Sequence, residues 1–178
     1  MREIILPEAK PAFEWVNGRA LQKVSPKRRH SLAQTVFAAA LLGWARAHRT
    51  GMAGTEWRFR VMPEGEERRP LVPDVAFLSY KRMPYEEQER TEEPGIAPDA
   101  VVEVRSPGDR WADMTEKVRV YLKAGASVIF FVDPKNKTVT VYDPNDTHVL
   151  AEDDIIRHST LPDFELRVRD LFTLPQPK

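Results

Sequence analysis

Glu103 stands in the apolar run Val101-Val102-Glu103-Val104, Asp74 follows Pro73 at the mouth of the run Val75-Ala76-Phe77-Leu78, and Lys117 lies one helical turn after Asp113. A carboxylate left unpaired inside an apolar strand costs several kcal/mol, so Glu103 needs a metal ion or a cationic side chain beside it. If the two apolar runs form neighbouring strands, Asp74 and Glu103 converge. Hard Mg²⁺ takes one or two carboxylates and completes its shell with water and phosphate oxygens. An ammonium beside such a pair would orient a water aimed at phosphorus, or help deprotonate it. The three residue types together point to metal-assisted phosphoryl chemistry.

Plainer readings exist for each residue. Arg105 lies two positions after Glu103 on the same strand face and could neutralise it as a structural pair. Asp74 could be an ordinary strand-end aspartate. Asp113 and Lys117 stand at i, i+4, the spacing of a surface ion pair worth only ~0.3–0.5 kcal/mol.

The elements that would position these residues can be read from apolar spacing. Residues 1–25, with Pro7, Pro11 and an Asn17-Gly18 turn, suggest an irregular or short-stranded entry. From Pro26 to His48 the residues Leu32, Val36, Phe37, Ala40, Leu41 and Trp44 recur at helical spacing, with Ser25 as expected N-cap and Gly51 after the end. Trp57, Phe59 and Val61 alternate with Arg58, Arg60 and Met62 as in a strand, and Val75–Leu78 reads as a central strand. Residues 81–98 read as a loop with at most one helical turn.

Ala100–Val104 is a second central strand. Asp109 is the expected cap of a helix running to Ala124, with Met114, Val118, Tyr121 and Leu122 inward, and the apolar run 127–132 follows. Strand, helix, strand implies a parallel pair. The alternating strand 138–142, short strands near Val149-Leu150 and Phe164–Leu166, and a helical end at 170–172 complete the chain.

At 178 residues the chain suits one domain spanning 1–178. Zero cysteines exclude disulfides and thiolate metal sites, which leaves oxygen or imidazole as metal donors. No run reaches the roughly 18 apolar residues of a membrane span, and residues 1–10 lack a signal core, so a cytoplasmic protein without membrane contact is expected. Twenty-seven basic against 27 acidic residues give zero net charge, which argues against a tight non-specific DNA binder. The charge is uneven, however. Lys27-Arg28-Arg29-His30 is basic, whereas residues 85–93 carry five glutamates.

The ordered set Phe13-Glu14 with Gly18, Ser25-Pro26 with His30, Pro73-Asp74-Val75-Ala76-Phe77, Val102-Glu103-Val104-Arg105-Ser106-Pro107 with Asp109, Asp113, Lys117 and Tyr121, then Gly125 and Val132-Asp133-Pro134, resembles the Uma2 family. That family, also called a domain of unknown function, is placed among restriction-endonuclease-like PD-(D/E)XK folds, and the likeness covers residues 12–172. It implies an α/β core with a central mixed sheet flanked by helices. It also implies a nuclease centre with Asp74, Glu103 and the main-chain carbonyl of Val104 as ligands of Mg²⁺ or Mn²⁺. The wider superfamily carries a lysine two residues after the glutamate. Here Arg105 occupies that position and is a poor base, so Lys117 would supply the amine and Arg105 would bind phosphate.

His30 resembles the family's histidine, contacting phosphate or holding a carboxylate, though it could equally face solvent beside Arg28 and Arg29. Gln34 is either polar lining of the same cleft or an exposed glutamine, and Glu14 enters as a further acid through the resemblance alone. Two functions follow as expectations: a metal-dependent endonuclease acting on DNA, or an inactive nucleic-acid- or protein-binding module with the same fold. The open edges of a small mixed sheet also make a homodimer a reasonable expectation.

Overall fold

The computed structural model describes residues 2–174 and 177. At Asn17-Gly18 both residues take positive φ, the two-residue turn that matches strand twist. It closes a hairpin of β1 (Phe13–Val16) and β2 (Arg19–Gln22), with Glu14 and Val16 turned inward. The long helix α1 (Arg28–His48) follows, burying His30, Ala33, Phe37, Leu41 and Trp44 at helical spacing. Lys27 rather than Ser25 occupies its N-cap, without a side-chain hydrogen bond. No acid stands in the first turn of α1. Lys27, Arg28 and Arg29 therefore crowd the positive end of the helix dipole, an adverse placement of about 0.3–1 kcal/mol per charge.

Gly51 is not a helix terminator but the first residue of β3 (Gly51–Thr55), a strand absent from the sequence reading. A β-carbon there would lie 2.2 Å from the Leu78 carbonyl oxygen, so the backbones of β3 and its partner require glycine. After β3 come the short antiparallel pair β4 (Phe59–Val61) and β5 (Arg69–Leu71), the central strand β6 (Val75–Ser79) and the single-turn helix α2 (Tyr85–Gln88). The chain continues through β7 (Ala100–Val104), helix α3 (Trp111–Lys123), β8 (Val128–Asp133), β9 (Thr138–Tyr142) and β10 (Thr147–Leu150). The last elements are the pair β11 (Ile155–His158) and β12 (Leu161–Arg167), then a 3₁₀ turn at Val168–Leu171. Asp109 does not cap α3. Its carboxylate instead accepts from the Ser106 N–H at 2.6 Å and closes the preceding turn.

A six-stranded sheet in the order β10-β9-β8-β7-β6-β3 forms the centre. Only β7 and β8, joined through α3, run parallel, as the strand–helix–strand pattern requires. The period of two sorts the strands onto two cores. Val75, Phe77, Val102, Val104 and Phe130 face α1, whereas Ala76, Leu78, Val101 and Ile129 face α3 and the hairpins β1-β2 and β4-β5. By the same parity Asp74 and Glu103 belong to the α3 face. Phe37 anchors the opposite core, its ring centroid 5.4 Å from that of Phe130 and 6.1 Å from that of Phe164. Phe37→Ala should cost about 3–5 kcal/mol of folding stability. A urea midpoint unchanged from wild type would contradict this packing.

Candidate active site

Val75 pairs with Val102, so one step further along that register Asp74 lies opposite Glu103. Here β6 ends, and the Val104 N–H, which would have met a strand backbone, donates to Asp74 Oδ2 at 2.7 Å. A residue's N–H and C=O leave a strand on the same side, so the Val104 carbonyl faces this edge as well. On α3, Asp113, Lys117 and Tyr121 form a buried stripe at i, i+4, i+8 turned to the sheet.

Lys117 Nζ donates to Glu103 Oε2 at 2.5 Å and to Glu14 Oε2 at 3.0 Å. Asp74, Glu103 and Lys117, far apart in sequence, are thus brought to one place, and Glu14 joins them from β1. Tyr121 donates a long 3.4 Å bond to Glu103 Oε1. Asp113 is held by Arg19 and Asn17 instead of Lys117, so the i, i+4 surface pair does not form. Glu103 likewise does not pair with Arg105.

A second ammonium was not foreseen. Lys23, just past β2, lies 2.7 Å from Asp74 Oδ1 and also donates to the Val72 carbonyl at 2.8 Å. No local pattern marks this lysine. The only clue was the cation demand of several acids converging in an apolar interior. His30 is buried, not solvent-facing, with Nε2 3.2 Å from Asp74 Oδ2. Of its two expected roles it takes that of holding the carboxylate.

Two further expected site residues lie outside the cleft that holds Asp74 and Glu103. The Gln34 amide donates to the Asp74 carbonyl at 2.9 Å and to Glu56 at 3.0 Å, so it supports the strand end and does not line the cleft. Arg105 leaves the strand and bonds Asp133 at 3.1 Å, its guanidinium stacked 5.3 Å from the Trp111 ring. It stands on the rim of an adjoining groove.

The cleft, about 190 Å³, is lined by Glu14, Lys23, His30, Asp74, Glu103 and Lys117 among others. Burial alone would raise the Asp74 carboxyl, but Lys23 and His30 hold it well below the ordinary carboxylate range. Burial pushes Glu103 up to about 8, with Asp74 and Glu14 adding to the rise against the pull of Lys117. Lys117 itself stays charged: burial would lower it, yet Glu103 and Glu14 hold it above the usual lysine range. It can therefore orient a water or stabilise negative charge, but it is not a base in this state.

Three buried carboxyl groups (Glu14, Asp74, Glu103) share two ammoniums (Lys23, Lys117), and Lys23 is shared further with Glu56 at 2.9 Å. Among the described residues no three acid or imidazole side chains form a ready-made metal cage. The available donors are two carboxylates and one carbonyl, all oxygen. That sparse oxygen set is of the kind that suits Mg²⁺ or Mn²⁺, which complete their shell with water and phosphate.

A pH consequence follows. The folded carboxyl of Glu103 lies above its unfolded value, so its contribution to stability is complete below about 4.5 and is lost as pH rises toward about 8. Asp74 is depressed and loses its contribution only in acid, outside this window. In EDTA, the urea midpoint of Glu103→Gln should gain on that of wild type steadily from pH 5 to pH 8. A constant difference would contradict the assignment.

The Uma2 family model, described as "Putative restriction endonuclease", matches residues 3–169. The crystal structure of a "putative nuclease belonging to DUF820" from Anabaena variabilis is 30% identical, with a TM-score of 0.83 over 94% of this chain and 93% of that one. No curated protein matches the chain.

Proposed function

The chain belongs to the Uma2 family, and from that premise we propose that it is a metal-dependent endonuclease hydrolysing the phosphodiester bonds of DNA. One observation carries the reading. Two carboxyl groups from adjacent strands and an ammonium from the following helix converge in one cleft.

Asp74, Glu103 and the Val104 carbonyl would hold the ion. When bound, Mg²⁺ supplies Lewis-acid polarisation of the scissile phosphate and acidifies a water. The chain's own groups do the rest. Val104 N–H, His30 and Lys23 lock the Asp74 carboxylate in one orientation, so little reorganisation is needed when substrate arrives. Lys117 holds Glu103 in position and presents a fixed positive charge to an attacking water or to the phosphorane-like oxygens. The general base is not Lys117, whose proton is held by two carboxylates.

The charged state of Lys117 and the engagement of Arg105 with Asp133 favour a second reading, a binding module without catalysis. Supercoiled plasmid incubated with Mg²⁺, Mn²⁺, Ca²⁺ or EDTA separates the two. Nicking and linearisation in Mg²⁺ or Mn²⁺, absent in EDTA and in Asp74→Asn prepared identically, are expected. Equal cutting by the variant would reveal contamination, and no cutting by wild type in any metal would leave only the binding module.

A further inference from the structure

Beside the catalytic cleft, and sharing His30, Ser106 and Gly108 with it, lies a groove of about 680 Å³. Five cationic side chains line it, Lys27, Arg28, Arg29, Arg105 and Lys135, against one acid, Asp133, which is already engaged by Arg105. Lys27, Arg28, Arg29 and Lys135 are exposed and make no ion pair among the described residues. This contrasts with Arg58, Arg69, Arg82 and Arg119, each of which is matched to acids.

The groove is also where α1 begins. Its first turn contains no acid and its N-cap offers no side chain, so the open N–H groups and the positive end of the helix dipole face the same place as the cations. Such stacking of like signs opposes folding. Where a sequence breaks a local rule at a cleft, the compensation is expected from a ligand. His30 supplies an independent sign. It is 8% exposed, lines the groove, and its Nδ1 has no hydrogen-bond partner while Nε2 is fixed on Asp74.

We propose that this groove is the docking track for the phosphate backbone of duplex DNA, with Arg28 and Arg29 at the α1 N-terminus gripping phosphates next to the one presented to Asp74 and Glu103. The proposal rests on the nuclease reading and extends it to how substrate is held. It also resolves the neutral net charge of the chain, since a local patch suffices when the acids are concentrated elsewhere, as in residues 86–93. Phosphate contacts of this kind carry no base information, so the track fixes register and not sequence preference.

The test is fluorescence anisotropy of a labelled duplex in EDTA, so that binding is read without cutting, across a salt series. Each lost phosphate contact lowers the salt slope by about 0.9. Arg28→Ala/Arg29→Ala should weaken binding about tenfold or more at low salt and flatten the slope by about two. The charge-matched control Arg46→Ala/Lys81→Ala, at the other end of α1 and after β6, should leave both unchanged.

A double variant that binds like the control overturns the proposal, as does a wild type that does not bind duplex at low salt. Equal displacement of the duplex by inorganic phosphate at the same phosphate concentration would also overturn it, by reducing the groove to a small-anion site. Single-stranded RNA bound more tightly than duplex would overturn the choice of DNA. A parallel Mg²⁺ cleavage assay with Asp74→Asn keeps the two readings distinct. Failure of the nuclease reading leaves patch-dependent binding without cutting, whereas failure of the track leaves cutting that is indifferent to Arg28 and Arg29. Matching thermal midpoints for all variants establish that the effects are not unfolding.

Discussion

Glu103→Gln is expected to reduce Mg²⁺-dependent DNA cleavage by at least about a thousand-fold, because a catalytic cation stabilises transition-state charge by several kcal/mol. The substitution removes one of the two proposed anionic ligands while retaining the shape of the side chain and an acceptor for Lys117. The fold should survive. Burial has pushed the Glu103 carboxyl up to about 8, so a neutral amide at this position relieves the cost of ionising it in the absence of metal. Loss of activity together with equal or greater stability in EDTA is the signature of a group kept for chemistry. A variant that cuts at wild-type rate would remove Glu103 from the reaction, and one that simply unfolds would make it a structural partner of Lys117.

Lys117→Ala should have the opposite profile, costing about 3–5 kcal/mol of stability because it strands Glu14 and Glu103 in the interior without their shared cation. The urea midpoint would fall and activity would be lost with it. Lys117→Met combined with Glu103→Gln should recover most of the stability, since the hydrophobic isostere then faces an amide and only Glu14 needs a partner. In the cycle built from Lys117→Met, Glu103→Gln and their combination, Lys117→Met should cost less in the Glu103→Gln background than in wild type, and an equal cost in both would contradict the direct contact. Activity should not return in the double variant. The recovery therefore separates the structural from the catalytic part of Lys117's position.

The central strands and the acids at their ends were legible because each presents a contradiction within a few residues: an apolar run too short for a helix, and a charge that such a run cannot bury alone. Asp74 and Glu103 could thus be named before their pairing was known, and the parallel β7–β8 pair followed from the intervening helix. What resisted was whatever depends on distant sequence. Lys23 reaches Asp74 across 51 positions and Lys117 reaches Glu14 across 103, and nothing adjacent to either lysine signals a buried partner. β3 was missed because Gly51 and Gly54 carry no strand propensity of their own. Its pairing with β6 is imposed by close backbone approach.

The helix starts show the same limit on a smaller scale. Ser25 and Asp109 are good capping residues by type, yet the chain begins α1 at Arg28 and spends Asp109 on the turn at Ser106. In the first case the helix end is left open and cationic beside the cleft, a placement that capping preference opposes and that phosphate binding would explain. Arg105 and Gln34 were expected beside the carboxylates, but the strand ends before Arg105, which lines the adjoining groove, and the Gln34 amide is drawn to the Asp74 backbone.

Whether Asp74 and Glu103 share one cation is decided by anomalous diffraction from crystals of the protein soaked in Mn²⁺. A single strong peak within coordination distance of both carboxylates and the Val104 carbonyl is the expected result, absent in Glu103→Gln crystals treated alike. Unbroken Lys23–Asp74 and Lys117–Glu103 ion pairs with no peak between the strands, in crystals that carry Mn²⁺ elsewhere, would contradict a metal-dependent centre at this place.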